Sequence, residues 1–246
     1  MKILLISDVH SNINGLKAIE NQEKSWDMVL FAGDMVDYGL YPSEVIAWMR
    51  KHNAIAVAGN HDIKLVEKAR SGTDRLIDPY CSSTFCQHNI SLLTNDELEY
   101  LENLPLEVTL NLDGITYFMT HIYDDNDGNA LLHHMEKYHI ISSFENYWEK
   151  KVGNPQGKRC LLLGDTHHCM MVQLKQDAYV LNPGSVGYNL GADAATKGAS
   201  YILIENGIPY FRYAQYNTEE EYQIVKEKMT NLNDWEYRTG LAIFKS

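Results

Sequence analysis

The chain has no long hydrophobic run, no basic stripe and no C-x-x-C motif, and each absence removes a class of protein. Near the start the apolar run is only Ile3 to Ile6 before Ser7 and Asp8, too short for a signal-peptide core and far too short to span a bilayer. A cytoplasmic location with no membrane partner is therefore expected. The four cysteines, Cys81, Cys86, Cys160 and Cys169, follow no regular framework and read as reduced thiols, most simply as small buried hydrophobes. Positive charge is scarce: 21 Lys and Arg stand against 33 Asp and Glu, a formal net charge of −12, which argues against long nucleic acid as a partner. An acidic chain can still bind a small phosphorylated substrate when cations sit in its site, because the ions are then the largest local charges. No repeat, low-complexity tract or linker divides the 246 residues, and 45% hydrophobic content supplies the core of one domain, 1–246.

Apolar runs at Lys2–Ser7, Asp27–Ala32 and Ala54–Ala58 predict strands buried on both faces, with helices over Gly15–Lys24 and Ser43–His52 between them. Pro42 suits a first helical turn, so the N-terminal third reads β-α-β-α-β. Thr94 and Glu97 fit a capping box for a helix that ends near Leu104-Pro105. Leu106–Leu112 and Ile115–Thr120 flank Asp113-Gly114, a two-residue hairpin signal, and Ser200–Glu205 and Ile208–Tyr213 flank Asn206-Gly207 in the same way. Short strands are expected at Arg159–Leu163, Met170–Leu174 and Ala178–Leu181, and a last helix over Thr218–Met229, a C-terminal helical extension from about residue 218. Two sheets packed between helices is the economical arrangement.

Polar groups collect where five of these strands end: Asp8-Val9-His10, Gly33-Asp34-Met35-Val36-Asp37, Gly59-Asn60-His61-Asp62, His121 and Gly164-Asp165-Thr166-His167. Ligand sites form at such C-terminal strand ends. Residues two apart on an extended segment point the same way, so Asp8 and His10 can reach one cation. Alone, D-x-H is weak, arising by chance in roughly one chain of this length in four, whereas G-N-H-D arises in about one in a thousand. Taken singly, Asp34 and Asp37 also read as solvated carboxylates of a glycine turn, and His121 as a hydrogen-bonded histidine at a strand end. Their order along the chain favours the functional reading.

The set D-x-H, G-D-x-x-D, G-N-H-D, a lone His after a strand and G-x-T-H resembles the calcineurin-like metallophosphoesterases. Asn182-Pro183-Gly184-Ser185-Val186-Gly187 and Gly198-Ala199-Ser200-Tyr201 are similar to the closing motifs of the small stand-alone bacterial branch, so the resemblance runs from Met1 to about Glu205 apart from 122–158. It implies a four-layer α/β/β/α sandwich of two mixed sheets with a binuclear site at its edge. By the matching motifs, Asp8, His10 and His167 would bind the first ion, Asp34 would bridge, and Asn60 and His121 would bind the second. Such mixed donors suit Mn, Fe or Zn ions rather than Mg or Ca. The pair would activate a water for in-line attack on a phosphorus ester. His61 would protonate the leaving oxygen or stabilise the transition state, with Asp37 orienting its ring. Asp62 reads as a helix-start carboxylate.

Two departures from the family pattern carry information. Where the family has Gly-His-Thr-His, this chain has Asp165; as a ligand it would move the second site toward Mn or Fe, and otherwise it turns away and water fills the place. Where the protein phosphatases follow the second Asp with a phosphate-clasping Arg, this chain has Tyr38. That loss removes a bidentate partner for a dianionic monoester and favours diesters and polyphosphates. A serine/threonine-type protein phosphatase is the second reading. A non-catalytic protein-binding scaffold is a third, opposed by the presence of His61.

The segment 122–158 is longer than a strand connection requires and carries Tyr123, His133, His134, Tyr138, His139, Phe144, Tyr147 and Trp148. Either the rings pack a helical subdomain, or the segment caps the site and Tyr123, Tyr138, Tyr147 or Trp148 stacks a nucleobase. The cap, with Tyr38, would favour a nucleotide, with dinucleoside polyphosphates such as diadenosine tetraphosphate first in rank, as in the bacterial hydrolases of that type in the same superfamily.

Overall fold

The computed structural model describes residues 1–71, 83–123, 136–153, 157–188 and 198–229, with the side chains of 83 and 136–142 excepted. The chain opens with β1 (Lys2–Ile6), α1 (Ile13–Gln22), β2 (Met28–Phe31), α2 (Pro42–Lys51) and β3 (Ile55–Ala56), the alternation that the apolar runs predict. Asn12 caps α1 by accepting from the backbone N–H groups of Asn14 and Gly15, and Pro42 opens α2. Next come α3 (Asn60–Ser71) and α4 (Ser83–Leu92), two helices that the patterning left undefined. In α5 (Asn95–Glu102) the Thr94–Glu97 capping box forms in both directions. Beyond it lie β4 (Glu107–Leu112), β5 (Ile115–Thr120), α6 (Glu136–Lys151), β6 (Lys158–Leu162), β7 (Cys169–Lys175), β8 (Ala178–Pro183), β9 (Ala199–Glu205), β10 (Ile208–Ala214) and α7 (Thr218–Lys228). Both hairpin turns have positive φ at their two central residues, Asp113-Gly114 and Asn206-Gly207, as tight turns between twisted strands require.

The strands form two five-stranded mixed sheets, ordered β10-β9-β1-β2-β3 and β4-β5-β6-β8-β7. In the first, β1, β2 and β3 run parallel, β9 pairs antiparallel with β1, and β10 pairs antiparallel with β9. In the second, β5, β6 and β8 are parallel, flanked by antiparallel β4 and β7. Alternate residues of one strand feed different layers. Leu4 and Ile6 of β1 face helices α1, α2, α3 and α5, whereas Ile3 and Leu5 face the second sheet and meet Ile115, Tyr117, Met119 and Leu162. On the far side of the second sheet, Phe118, Leu161 and Val180 pack against Phe144, Tyr147 and Trp148 of α6. The result is the four-layer α/β/β/α sandwich.

The described side chains of α6 form the outer helical layer of the second sheet. Among the described residues no helix is long and apolar enough to cross a membrane. Cys86 and Cys160 are buried and Cys169 is half-buried, while Cys81 lies outside the described residues.

Candidate metal centre

Strands β1, β2, β3, β5 and β6 end at one edge of the sandwich, and the loops that leave them bring together residues 8–10, 33–38, 59–62, 121 and 164–167. These loops are strained. Of the eleven non-glycine residues with positive φ among those described, eight lie here: Asp8, His10, Ser11, Asp34, Asp37, Tyr38, Asp165 and His167. Such conformations persist only where surrounding contacts over-determine them, and they cluster at functional sites. Two glycines make room. A Cβ on Gly33, which has φ +96°, would come within 2.5 Å of His121 Nδ1, and one on Gly59 would overlap Asp34 Oδ1.

Three imidazoles meet in the same orientation. His10 Nδ1 donates to Val36 O at 3.2 Å, His121 Nδ1 to Ala32 O at 2.6 Å and His167 Nδ1 to Tyr188 O at 3.0 Å. A ring whose Nδ1 proton is held on a carbonyl presents Nε2 inward, the arrangement that prepares a histidine to ligate. His10 Nε2 and His167 Nε2 stand 3.1 Å apart. Two lone pairs at that separation repel unless a proton or a metal cation lies between or beside them. Burial pushes the pKa of His10 down to about 4, Asp34 only partly opposing it, so this ring is neutral at physiological pH.

The carboxylates complete the demand for a cation. Asp8 is fully buried and neither of its oxygens has a hydrogen-bond partner; its nearest basic atom is His167 Nε2, 3.2 Å from Oδ1. Burial alone would raise the pKa of Asp34, but the imidazole of His121 overrides it and holds the group well below the ordinary carboxylate range. Asp34 Oδ2 lies 3.1 Å from His121 Nε2 and 3.8 Å from His10 Nε2, between the two histidines as a bridge would. Among the described residues, two groups of side chains have ligand atoms within 4.8 Å of one another, Asp8 with His10 and His167, and Asp8 with Asp34 and His121. Asn60 joins the second group through Oδ1, 3.1 Å from His121 Nε2. A buried carboxylate without hydrogen bonds is costly, and the donor set of carboxylate, amide and imidazole fits transition-metal ions.

The remaining expected residues divide into three fates. His61 and Asp37 meet: His61 Nδ1 is 2.8 Å from Asp37 Oδ2, and both are buried. Tyr38 is half-buried beside them, its ring centroid 4.9 Å from that of His61 and 5.1 Å from that of His10. Asp165 stands at the rim, 31% exposed, with Oδ1 3.9 Å from His121 Nε2.

Of the rings expected to stack, Tyr123, Tyr147 and Trp148 are 1%, 3% and 1% exposed: Tyr147 and Trp148 pack on Phe118, Trp148 also on Phe144, and Tyr123 on Tyr147, over the second sheet. Tyr138 and His139 lie in a stretch of α6 whose side chains are outside those described, and His133 and His134 lie outside the described residues.

Asp62 does more than start a helix. It is fully buried and accepts from the backbone N–H groups of Gly59, Asp34, Met35 and Val36 at 2.8–3.1 Å, so it ties the loop after β2 to the start of α3. Asn89 of α4, which nothing in the sequence singled out, is equally buried and bonds to the loop that carries Asp37.

A two-sheet sandwich with a buried carboxylate–imidazole cluster where its parallel strands end defines the class of protein: a layered α/β fold built around a candidate metal centre. The chain matches the calcineurin-like phosphoesterase superfamily domain over residues 1–205 and belongs to that family. An uncharacterized protein of Methanocaldococcus jannaschii is 26% identical over 247 aligned positions, covering 92% of this chain and 93% of its own length. A metallophosphoesterase from Sphaerobacter thermophilus has the same fold, with a TM-score of 0.71 at 22% identity, over 99% of this chain and 100% of that one. So does a hypothetical protein from Pyrococcus horikoshii, with a TM-score of 0.69 at 19% identity, over 93% of this chain and 94% of its own.

Proposed function

We propose that the chain is a binuclear metal-dependent phosphohydrolase that cleaves phosphodiester or phosphoanhydride bonds in a small substrate. The observation that carries this reading is the convergence of three Nε2 atoms on Asp8, whose buried oxygens have no hydrogen-bond partner, and on Asp34. Asp8, His10 and His167 would hold one ion, Asn60, His121 and Asp165 the other, with Asp34 between them. The donor chemistry suits Mn or Fe, with Zn next. When bound, such a pair supplies a nucleophilic water at neutral pH and neutralises phosphoryl charge.

The chain's own residues would do the rest. Asp37 holds the Nδ1 proton of His61 and stabilises the charged ring, from which Nε2 gives its proton to the leaving oxygen as the P–O bond breaks. Tyr38 stands where an Arg fork would clasp a dianionic monoester, and its phenol offers one donor in place of a bidentate pair. Diesters and anhydrides are therefore preferred over monoesters. A dinucleoside polyphosphate such as diadenosine tetraphosphate belongs to this substrate class; of the rings that favoured it Tyr123, Tyr147 and Trp148 are in the core and the Tyr138 side chain lies outside those described, so Tyr38 is its support among the described residues.

The test compares turnover of a chromogenic phosphodiester, a phosphomonoester, a phosphopeptide and a dinucleoside polyphosphate by Mn-loaded protein. The expected result is a kcat/KM for the diester or the polyphosphate at least about tenfold above that for the monoester, with Tyr38→Arg narrowing the gap. Preference for the phosphopeptide would make the chain a protein phosphatase. No turnover of any of the four would favour the binding scaffold.

A further inference from the structure

Asp37 and Tyr38 have φ of +74° and +57°, and so strained a loop needs something to hold it. Asp37 is a sensitive point, because both its carboxylate oxygens are engaged: Oδ1 accepts from the Tyr38 backbone N–H at 2.8 Å and Oδ2 meets His61 Nδ1 at 2.8 Å. A small rotation of the backbone at Asp37 would break the contact with His61.

Asn89 grips this loop from α4. Its Oδ1 accepts from the Asp37 backbone N–H at 3.1 Å and from the Ser11 hydroxyl. Its Nδ2 donates to Gly39 O at 2.8 Å and to Phe85 O at 3.0 Å. The amide's two donors and two acceptor sites are all in use, and the bonds fall on both sides of Tyr38 as well as on the residue after His10. The helix that presents Asn89 is itself anchored, since Phe85 packs with Leu40 and with Tyr222 and Val225 of α7. A packing role alone would be met by an apolar side chain, without the risk of a half-satisfied buried amide.

We propose that Asn89 is a positioning residue that sets the Asp37–His61 hydrogen bond and so aims the proton donor at the leaving group. This rests on the role proposed above for that pair. Asn89 touches neither substrate nor reacting atoms, so its effect must run through Asp37.

The experiment is a double-mutant cycle in Mn-loaded full-length protein, with Asn89→Ala and Asn89→Asp each made in the wild-type and the Asp37→Asn backgrounds. Steady-state kinetics on the chromogenic diester are paired with proton NMR of the His61 Nδ1–H in the same variants loaded with diamagnetic Zn²⁺, the signal being identified by its loss in His61→Gln. Asn89→Ala should lower kcat about tenfold with KM within about twofold, shift or erase the imidazole proton, and cost no further turnover once Asp37 is Asn. Asn89→Asp keeps the acceptors and the shape but loses both donations. Its loss, whatever the size, should likewise vanish in the Asp37→Asn background, and it decides the matter if the Ala variant does not fold. Equal losses in both backgrounds, or an unmoved imidazole signal, would overturn the proposal. If Asp37→Asn alone left kcat and the signal at wild-type values, the pair itself would fall, and the role of Asn89 with it. If Asp37→Asn were costly while both Asn89 variants were silent, Asn89 alone would be excluded.

Discussion

The loops that end β1, β2, β3 and β6 and the ring-rich region around α6 both bury chemically distinctive side chains, for opposite physical reasons. In the loops, Asp8 and Asp34 are shut away from water, the backbone is held at positive φ, and the Asp8 oxygens have no hydrogen-bond partner. Each of these features costs stability in the isolated chain. Around α6, Tyr123, Phe144, Tyr147 and Trp148 fill the space over the second sheet, ring against ring, at centroid distances from 4.3 to 6.2 Å. That arrangement lowers the free energy of the fold. A buried carboxylate with neither oxygen hydrogen-bonded, on a strained backbone, therefore marks the site, and ring density marks the core.

Substitutions in the two regions should separate activity from stability. The largest effect belongs to His61→Ala, which should lower kcat about 10²–10⁴-fold on the preferred substrate while the thermal midpoint stays within a few degrees of wild type. Steady-state kinetics and thermal melting check this pair of outcomes, and unchanged turnover would break the comparison on the side of the loops. Trp148→Ala should do the reverse, costing about 3–5 kcal/mol of stability with KM unchanged. Trp148→Phe should cost much less, because the indole N–H it removes is buried without a partner. Denaturant unfolding with parallel kinetics measures both, and a raised KM at unchanged stability would return α6 to the role of a cap.

Patterns that act over a few residues were legible in the sequence. The strand runs, the Thr94–Glu97 capping box and the two glycine turns all appear where they were expected, to within a residue or two at most boundaries. The meeting of the carboxylates and imidazoles was legible too, because short motifs at the ends of parallel strands must converge. What depended on tertiary partners was not. Asp62 finds three of its four donors on a loop more than 25 residues earlier, and Asn89 reaches Asp37 and Gly39 across 52 and 50 residues. In α4 the residues that face inward include Phe85, Cys86 and the polar Asn89, so a count of apolar positions did not reveal that face. The rings of 122–158 were visible as composition, but which of them faced the second sheet depended on how α6 packs.

The central claim is that the buried carboxylate–imidazole cluster is a two-ion centre, and calorimetric titration of metal-free protein with Mn²⁺ tests it most directly. The wild type should bind about two ions per chain, and Asp8→Asn no more than about one, while the metal-free variant stays folded. A wild type that takes up no Mn²⁺, or an Asp8→Asn variant that binds as the wild type does, would contradict it.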